Sequence, residues 1–311
     1  MDITNPIYGD ANRARKHLEA LHWPNGPVCP HCGNVDQDRI TKLKGKSTRP
    51  GVYKCNECTK PFTVTVGTIF EDSKIPLNKW LLAFRLLNGG KKGISANELS
   101  RHLGITYKSA WFMAHRIREA MKDEGDVPIG GYGKTIEADE TYVGGKVSNR
   151  HKAKRTGKGY GIHVKQPVVS LVEREGRVRS FHVANVNAKT LRHVLVTNAD
   201  RGSWLMTDEN SVYKTVGKEY VGHGVVRHGL GEYGRASYFH TNTVENFFSI
   251  LKRGINGVYF HVSEAHLKRY VTEFDFRYNT RDLTDTERTA EAVKGARGKR
   301  LMYRQPSPLV A

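Results

Sequence analysis

Three acidic positions in this chain have the residue types and settings to act together. The first lies in Ile136-Glu137-Ala138-Asp139-Glu140-Thr141-Tyr142-Val143-Gly144-Gly145, a strand pattern that carries carboxylates to its end and breaks at paired glycines. A strand that delivers an acid to its C-terminal lip commonly serves a metal ion or a proton transfer, although strand-end acids are also ordinary turn residues. Alternation sets Glu137 and Asp139 on one face and Glu140 on the other. Pattern alone does not choose between Glu137 and Asp139. Asp208 repeats the arrangement, after the short apolar run Trp204-Leu205-Met206-Thr207 and before the turn signal Glu209-Asn210. Glu245 has two readings. Asn242-x-x-Glu245 fits a capping box, yet Glu245, Ser249 and Lys252 also recur along one polar stripe beside Val244, Phe248 and Leu251. A helix that aims a carboxylate and, two turns on, a lysine at one place suits a metal-and-phosphate site, with the lysine as a point charge.

The four cysteines occur only as Cys29-x-x-Cys32 and Cys55-x-x-Cys58, with 22 residues between the pairs. Each pair makes a tight turn that points two thiolates at one place, and four thiolates form the closed tetrahedral set that structural Zn²⁺ prefers. Two redox pairs would need a thioredoxin-like strand-helix-strand setting, which is lacking. The residues between the pairs suit a small β-ribbon, in which the metal replaces a core too small to build. His31 is read as a bystander inside the first pair.

Fifty Lys and Arg against 31 Asp and Glu give the 311-residue chain a formal charge of +19. Such a charge repels itself unless an anionic partner neutralises it, and nucleic acid is the commonest partner of that kind. A hydrophobic content of 38% points to a folded chain of two or three domains. No apolar run approaches the roughly 20 residues that cross a bilayer, so no membrane partner is expected. The first ten residues lack the basic and apolar regions of a secretory leader. A cytoplasmic location, associated with the nucleoid, is the expectation.

The elements that must position these groups can be placed by periodicity. Asp10 to Trp23 reads as an amphipathic helix carrying Ala14, Leu18 and Leu21 on one face. A helix led by Pro76 holds Leu77, Trp80, Leu81 and Phe84 and ends at Gly89-Gly90. Two short helices around Gly104, sharing Leu99, Leu103, Ile105, Ala110, Met113 and Ile117, match a helix-turn-helix. Lys108, Arg116 and Arg118 would then meet phosphate or base edges. Strands are expected at Thr135–Asp139, Pro167–Arg174, Arg177–Val186 and Ser203–Thr207, with Glu175-Gly176 as a hairpin turn and a helix over Ala188–Ala199. Lys146–Gln166 reads as a mobile basic loop, in which Lys152, Lys154 and Arg155 could grip a DNA strand. Val244, Phe247, Phe248, Leu251 and Ile255 mark one later helix, and Leu267, Tyr270, Val271, Phe274 and Tyr278 another. The remainder is basic and weakly patterned.

Asp139 and Asp208 are separated by 68 residues, and Asp208 and Glu245 by 36. With that spacing the chain resembles the DDE transposases of bacterial insertion sequences, and within them the ISXO-two-like group that carries an N-terminal zinc ribbon. The resemblance rests on Cys29-Pro30-His31-Cys32-Gly33, Gly67-Thr68-Ile69-Phe70, the 136–145 stretch, Thr207-Asp208-Glu209, the run from Asn242 to Gly254, and Phe274-Asp275-Phe276-Arg277-Tyr278-Asn279-Thr280-Arg281. These motifs span most of the chain. The resemblance implies an α/β, RNase-H-like catalytic part, a mixed sheet flanked by helices, at residues 133–281. It follows an N-terminal helix at 1–24, a zinc ribbon at 25–70 and a helix-turn-helix region at 74–124, with a basic tail at 282–311. It also implies that Asp139, Asp208 and Glu245 form the acid set and hold two catalytic Mg²⁺, for which Mn²⁺ can substitute. Lys252, with Arg253 beside it, would position the DNA end. Some members of the group carry asparagine at the third acid position; here Glu245 stands there, with Asn246 next. The implied partners are the terminal inverted repeats and target DNA, bound by a homodimer or higher oligomer.

Other chemistries fit less well. His266-x-x-Arg269 with Tyr303 loosely satisfies a tyrosine recombinase, but His115-x-x-Arg118 matches equally. Gly133-Lys134-Thr135 fails as a phosphate loop because Pro128 stands where its first glycine belongs. A DNA-binding regulator without catalysis would explain the charge and the cysteines, but leaves residues 135–280 without a role.

Overall fold

Helix α1 (Ala11–His22) is capped by Asp10, whose carboxylate accepts the Arg13 amide at 2.8 Å. Ala14 and Leu18 face inward from it, as their four-residue spacing predicts. The computed structural model describes residues 2–123, 127–145, 165–226 and 238–303. The chain divides into two units, residues 1–122 with 282–311, and residues 123–281. Among the described residues no helix is long and apolar enough to cross a membrane.

In the first unit α1 is followed by a ribbon of three short antiparallel strands, β1 (Ile40–Lys42), β2 (Tyr53–Cys55) and β3 (Pro61–Phe62). Its core is Cys29, Ile40, Cys55 and Phe62, with Trp23 and Tyr53 packed on them. So few apolar groups do not hold a ribbon folded without a staple. Helices α2 (Leu77–Gly89), α3 (Ala96–Leu103) and α4 (Tyr107–Ala120) come next. Ser95 caps α3 and Thr106 caps α4, each hydroxyl accepting an amide three residues on. Gly104 turns the chain between them at φ 57°, a left-handed conformation that a Cβ disfavours.

The stretch expected as a basic tail instead forms a helix, α9 (Asp285–Lys294), and belongs to the first unit. Thr284 and Glu287 close a reciprocal capping box at its start. It packs on α1, α2 and α4. His22 Nε2 donates to the Val293 carbonyl at 3.0 Å, and Arg85 pairs with Asp285 at 3.0 Å. Along α9 only Ala292 and Val293 are fully buried, so its apolar periodicity is faint in the sequence. The box Thr284-x-x-Glu287 was the readable signal.

The second unit is a five-stranded mixed sheet with helices on both faces. Its strands are β4 (Thr135–Val143), β5 (Gln166–Glu173), β6 (Val178–His182), β7 (Trp204–Asp208) and β8 (Gly222–Val226), in the order β6-β5-β4-β7-β8. β4, β5 and β6 pair antiparallel, while β7 runs parallel to β4 and β8 parallel to β7. Alternation along β4 and β5 divides the core. Ile136, Ala138, Val169 and Leu171 pack with Leu191 and Leu195 of α5 (Ala188–Asn198) and Tyr213 of the short α6 (Tyr213–Val216). On the other face Val168 and Val172 meet Val244, Phe247 and Leu251 of α7 (Asn242–Gly254) and Leu267, Val271 and Phe274 of α8 (Glu264–Asn279).

β4 and β6 differ in extent from expectation, β6 ending at His182 rather than Val186, and β8 is an additional strand. β4 continues past Asp139 to Val143 because β5 pairs with it over that whole length, whereas its parallel pairing with β7 reaches only Glu137 and Met206. β8 has no apolar alternation to announce it. Its glycines answer to β7, since a Cβ at Gly222 would fall 2.5 Å from the Trp204 ring and one at Gly224 2.5 Å from the Met206 sulfur.

Two measurements check this account. Thr284→Ala should lower the unfolding free energy by about 1 kcal/mol in chemical denaturation, the usual value of a helix cap. The second concerns Asp275, whose carboxylate turns from α8 onto β6 and accepts the amide and hydroxyl of Ser180 at 2.8 and 2.6 Å. Burial pushes its pKa from 3.8 up to about 7. The folded state thus holds this proton more tightly, and its contribution to stability is full below 3.8 and lost as pH rises through about 7. Asp275→Asn should flatten the fall in stability across that window; an unchanged profile would mean that Asp275 titrates normally.

Candidate active site and metal centre

The parallel register brings two acids side by side. Glu137 of β4 sits opposite Met206 of β7, and two residues further on each strand come Asp139 and Asp208, on the face that α7 covers. Glu245 enters from above, in the first turn of α7. Asp139 feels the charge of both other acids. Burial is the main cause that pushes Asp139 up to about 7, and the charges of Glu140, Asp208 and Glu245 push the same way; the Glu140 amide, donating to Asp139 Oδ1 at 2.7 Å, opposes them. A half-buried carboxylate among other carboxylates is a place where a bound cation would relieve repulsion.

The two remaining acids of the stretch have different surroundings. Glu137 is fully buried. Its Oε2 accepts the Thr243 and Val244 amides at 2.8 and 3.0 Å, and its Oε1 accepts Thr243 Oγ1 at 2.9 Å and Arg174 Nε at 2.7 Å. His240 Nδ1 lies 3.1 Å from the same Oε1. Glu140, on the opposite face, accepts Tyr213 Oη at 2.6 Å and Asn210 Nδ2 at 3.0 Å. Asn210 in turn donates its amide to Asp208 Oδ1 at 3.1 Å. Burial, against the Tyr213 hydrogen bond, raises the Glu140 pKa.

The alternative reading of Asn242-x-x-Glu245 as a capping box does not hold in the fold. The N-cap of α7 is Thr241, and Thr241 Oγ1 donates to Glu245 Oε1 at 2.9 Å. The orphan amides of that first turn go to Glu137, which closeness in sequence could not suggest. Lys252 and Arg253 are exposed near the end of α7, and Arg253 donates to Ser249 Oγ at 2.6 Å.

The basic groups expected on α4 separate. Lys108 is exposed, with its ammonium 5.1 Å from the centre of the Tyr303 ring. Arg116 and Arg118 are 6% and 2% exposed, so neither offers its guanidinium to phosphate here. Arg116 donates to the Glu71 carbonyl at 2.6 Å and lies over the Trp80 and Phe112 rings. Met113 to Arg118 are all buried, because distant segments cover α4 on faces that the local pattern assigns to solvent. Arg101, exposed on α3, is a cation that the sequence reading passed over. Lys152, Lys154, Arg155 and the basic loop around them lie outside the described residues.

In the ribbon the four cysteine sulfurs lie within 4.8 Å of one another. Cys29 and Cys58 approach to 3.6 Å, and Cys32 and Cys55 to 3.7 Å. Tetrahedral Zn²⁺ with Zn–S bonds of about 2.3 Å puts its sulfurs about 3.8 Å apart, so the set fits zinc. Backbone amides of the second knuckle, Cys58 first, and the Asn34 side chain hold the Cys55 thiol down to about 6. Against the bond from the Asn34 amide, burial and the sulfurs of Cys29, Cys55 and Cys58 push Cys32 up to about 12, so without a metal the four thiols do not ionise together. His31 stays outside, its Nε2 3.4 Å from the Pro61 carbonyl. Among the described residues the cysteines are the one group of metal-ligand type gathered so tightly.

Residues 130–279 match the family model described as ISXO2-like transposase domain, and residues 9–61 match the transposase zinc-ribbon domain. The chain belongs to the ISXO2-like transposases. It is 28% identical over 285 residues to an uncharacterized protein in transposable element ISH50 of Halobacterium salinarum, covering 85% of this chain and 90% of that one. Male abnormal protein mab-31 of Caenorhabditis elegans is 23% identical over 222 residues, which cover 66% of this chain and 50% of that protein. The ISXO2-like match contains Asp139, Asp208 and Glu245, and the ribbon match contains all four cysteines.

Removing zinc from the purified chain with a strong chelator should melt the ribbon, because its apolar core is small. Loss of the metal measured by atomic absorption, with no change in the Trp23–Tyr53–Phe62 environment by near-ultraviolet circular dichroism, would refute the structural role.

Proposed function

We propose that this chain binds the ends of an insertion element and carries out divalent-metal-dependent nicking and strand transfer with Asp139, Asp208 and Glu245. The observation that carries the reading is the coupling of Asp139 to the other two carboxylates, the three delivered by β4, β7 and α7 and separated by 68 and 36 residues in sequence. The strand order, three antiparallel strands continued by two parallel ones with helices on both faces, supports an RNase-H-like classification of this unit.

Hard carboxylate oxygens, held close enough to repel, suit Mg²⁺ or Mn²⁺. When bound, a pair of such ions would supply Lewis-acid activation of the attacking and leaving oxygens. The protein's part is placement. Asp139 and Asp208 lie on neighbouring strands, and Glu245 lies on α7, which packs on β4 and β5. Lys252, exposed two turns beyond Glu245, is suited to hold a phosphate of the DNA end.

The chemistry balances without a covalent enzyme intermediate. In the first step a water oxygen bonds to phosphorus, the P–O3′ bond breaks, and a free 3′-hydroxyl and a 5′-phosphate result. In the second that 3′-hydroxyl oxygen attacks a target phosphodiester and displaces its 3′-oxygen, so one phosphodiester bond forms as one breaks. α3 and α4, capped on either side of Gly104, form the helix-turn-helix in this reading, with Lys108 and Arg101 facing phosphate in place of Arg116 and Arg118. Lys152, Lys154 and Arg155 add charge for strand binding, and pairing of two ends requires at least two copies of the chain.

Asp139→Ala, Asp208→Ala and Glu245→Ala should each reduce Mg²⁺-dependent nicking by about a thousandfold or more, as expected for groups acting as one unit. DNA affinity in a mobility-shift assay should stay near that of the parent. A single variant that nicks at the parent rate removes that residue from the set. A parent chain that binds DNA but breaks no strand with Mg²⁺ present favours the regulator reading instead.

A further inference from the structure

We propose that Glu137 and Glu140, the two acids flanking Asp139, are positioning residues, each tying one of the other two acids to β4. The inference rests on the reading of Asp139, Asp208 and Glu245 as the acid set. It gives a physical role to two carboxylates that this set does not use.

Glu137 sets the position of Glu245. A helix begins with amides that have no partner inside it, and at α7 the N-cap side chain does not supply one. Glu137 supplies it from the strand beneath, taking the Thr243 and Val244 amides on one oxygen, immediately before Glu245. Its other oxygen is held by Thr243 Oγ1 and Arg174 Nε. Arg174 also donates to the His240 carbonyl at 2.8 Å, which secures the chain entering the helix. A fully buried carboxylate at the positive end of a helix is costly to leave without these donors. The first turn of α7 therefore has one position on β4, and Glu245 has one approach to Asp139.

Glu140 does the same for Asp208, from the opposite face of β4. Asn210 Nδ2 and Tyr213 Oη each take one of its oxygens, and the Asn210 amide holds Asp208 Oδ1. Tyr213 is itself fully buried among Leu191, Leu195 and Leu205. The turn after β7 is thereby pinned to β4, while the Glu140 amide holds Asp139 Oδ1. Four consecutive residues, Glu137 to Glu140, thus reach all three acids: Asp139 directly, Glu245 through Glu137 and Asp208 through Glu140.

Their hydrogen-bond inventories argue against either acting as a fourth ligand. Both oxygens of Glu137 are engaged by four donors and the residue has no exposed surface. Each oxygen of Glu140 has a donor, and the shorter bond comes from a tyrosine in the core on the far side of the sheet.

The test uses the full-length chain and two readouts, Mn²⁺ binding by titration calorimetry and the Mg²⁺ dependence of nicking. Glu140→Gln keeps the shape but turns one acceptor into a donor, and Tyr213→Phe removes one hydroxyl from the same chain of contacts. Both should weaken Mn²⁺ binding about tenfold, the lower end for losing a group that orients a ligand, and both should shift the Mg²⁺ requirement upward by a similar factor, with rate recovered as Mg²⁺ is raised. Glu137→Gln should lower the rate at saturating Mg²⁺ without such recovery, because the first turn of α7 is displaced. Thr243→Ala, which spares the backbone bonds, should give a smaller loss of the same kind even if Glu137→Gln folds poorly. Parent-like metal binding and parent-like Mg²⁺ dependence in Glu140→Gln and Tyr213→Phe would overturn the proposal for Glu140. Loss of binding in Glu140→Gln with a silent Tyr213→Phe would overturn it too, since Glu140 would then be a ligand. A Thr243→Ala chain at full rate would overturn the role of Glu137. Asp139→Asn that binds Mn²⁺ and nicks like the parent would instead show that the acid set itself is misassigned.

Discussion

A single buried carboxylate organises the second unit of this molecule. Glu137 lies inside the second unit, beneath a helix whose first amides it satisfies and beside an arginine that it neutralises. Each side of that arrangement needs the other. A carboxylate taken out of water requires donors or a positive charge, and a helix start without a side-chain cap requires an acceptor. Their mutual satisfaction fixes where α7 crosses the sheet, and the apolar contacts of Val244, Phe247 and Leu251 complete the seating. The geometry of the acids follows from a hydrogen-bonding requirement met two residues away from Asp139.

Around that anchor the site is a controlled conflict. Burial raises the Asp139 pKa to about 7, and the charges of Glu140, Asp208 and Glu245 push it the same way. The adjacent Glu140 amide opposes this in part. The fold tolerates it because strand pairing and helix packing on both faces of the sheet hold the three elements in place. Strained electrostatics of this kind mark functional sites more often than structural ones. The same strand thus carries one acid that is satisfied by donors and one that meets other acids.

The first unit uses a different economy of contacts. Its ribbon has four core side chains and four cysteines, two of which serve as both, so the metal takes the part that apolar burial plays elsewhere. Its helices close on themselves through α9, which comes from the far end of the chain and meets α1 and α2. Arg116 is an interior group of this unit, over the Trp80 and Phe112 rings with its guanidinium on the Glu71 carbonyl. Lys108 and Arg101 are among the cations of this unit that remain exposed.

By itself the sequence determined what depends on short-range spacing. The zinc set follows from two Cys-x-x-Cys turns, the helices from apolar periodicity and capping residues, and β4, β5 and β7 from runs of β-branched and apolar side chains. The transposase resemblance rested on local motifs and their separations, and it named Asp139 without a reason in the strand pattern to prefer it over Glu137. Tertiary structure gave the two acids different surroundings. Both acids share a face of β4, but Glu137 meets amides more than one hundred residues away in sequence, whereas Asp139 meets other acids. The burial of Arg116, the role of Tyr213, the existence of β8 and the return of α9 were likewise illegible for one reason. Each is set by a partner distant along the chain, and spacing within a segment carries no information about what will be packed against it.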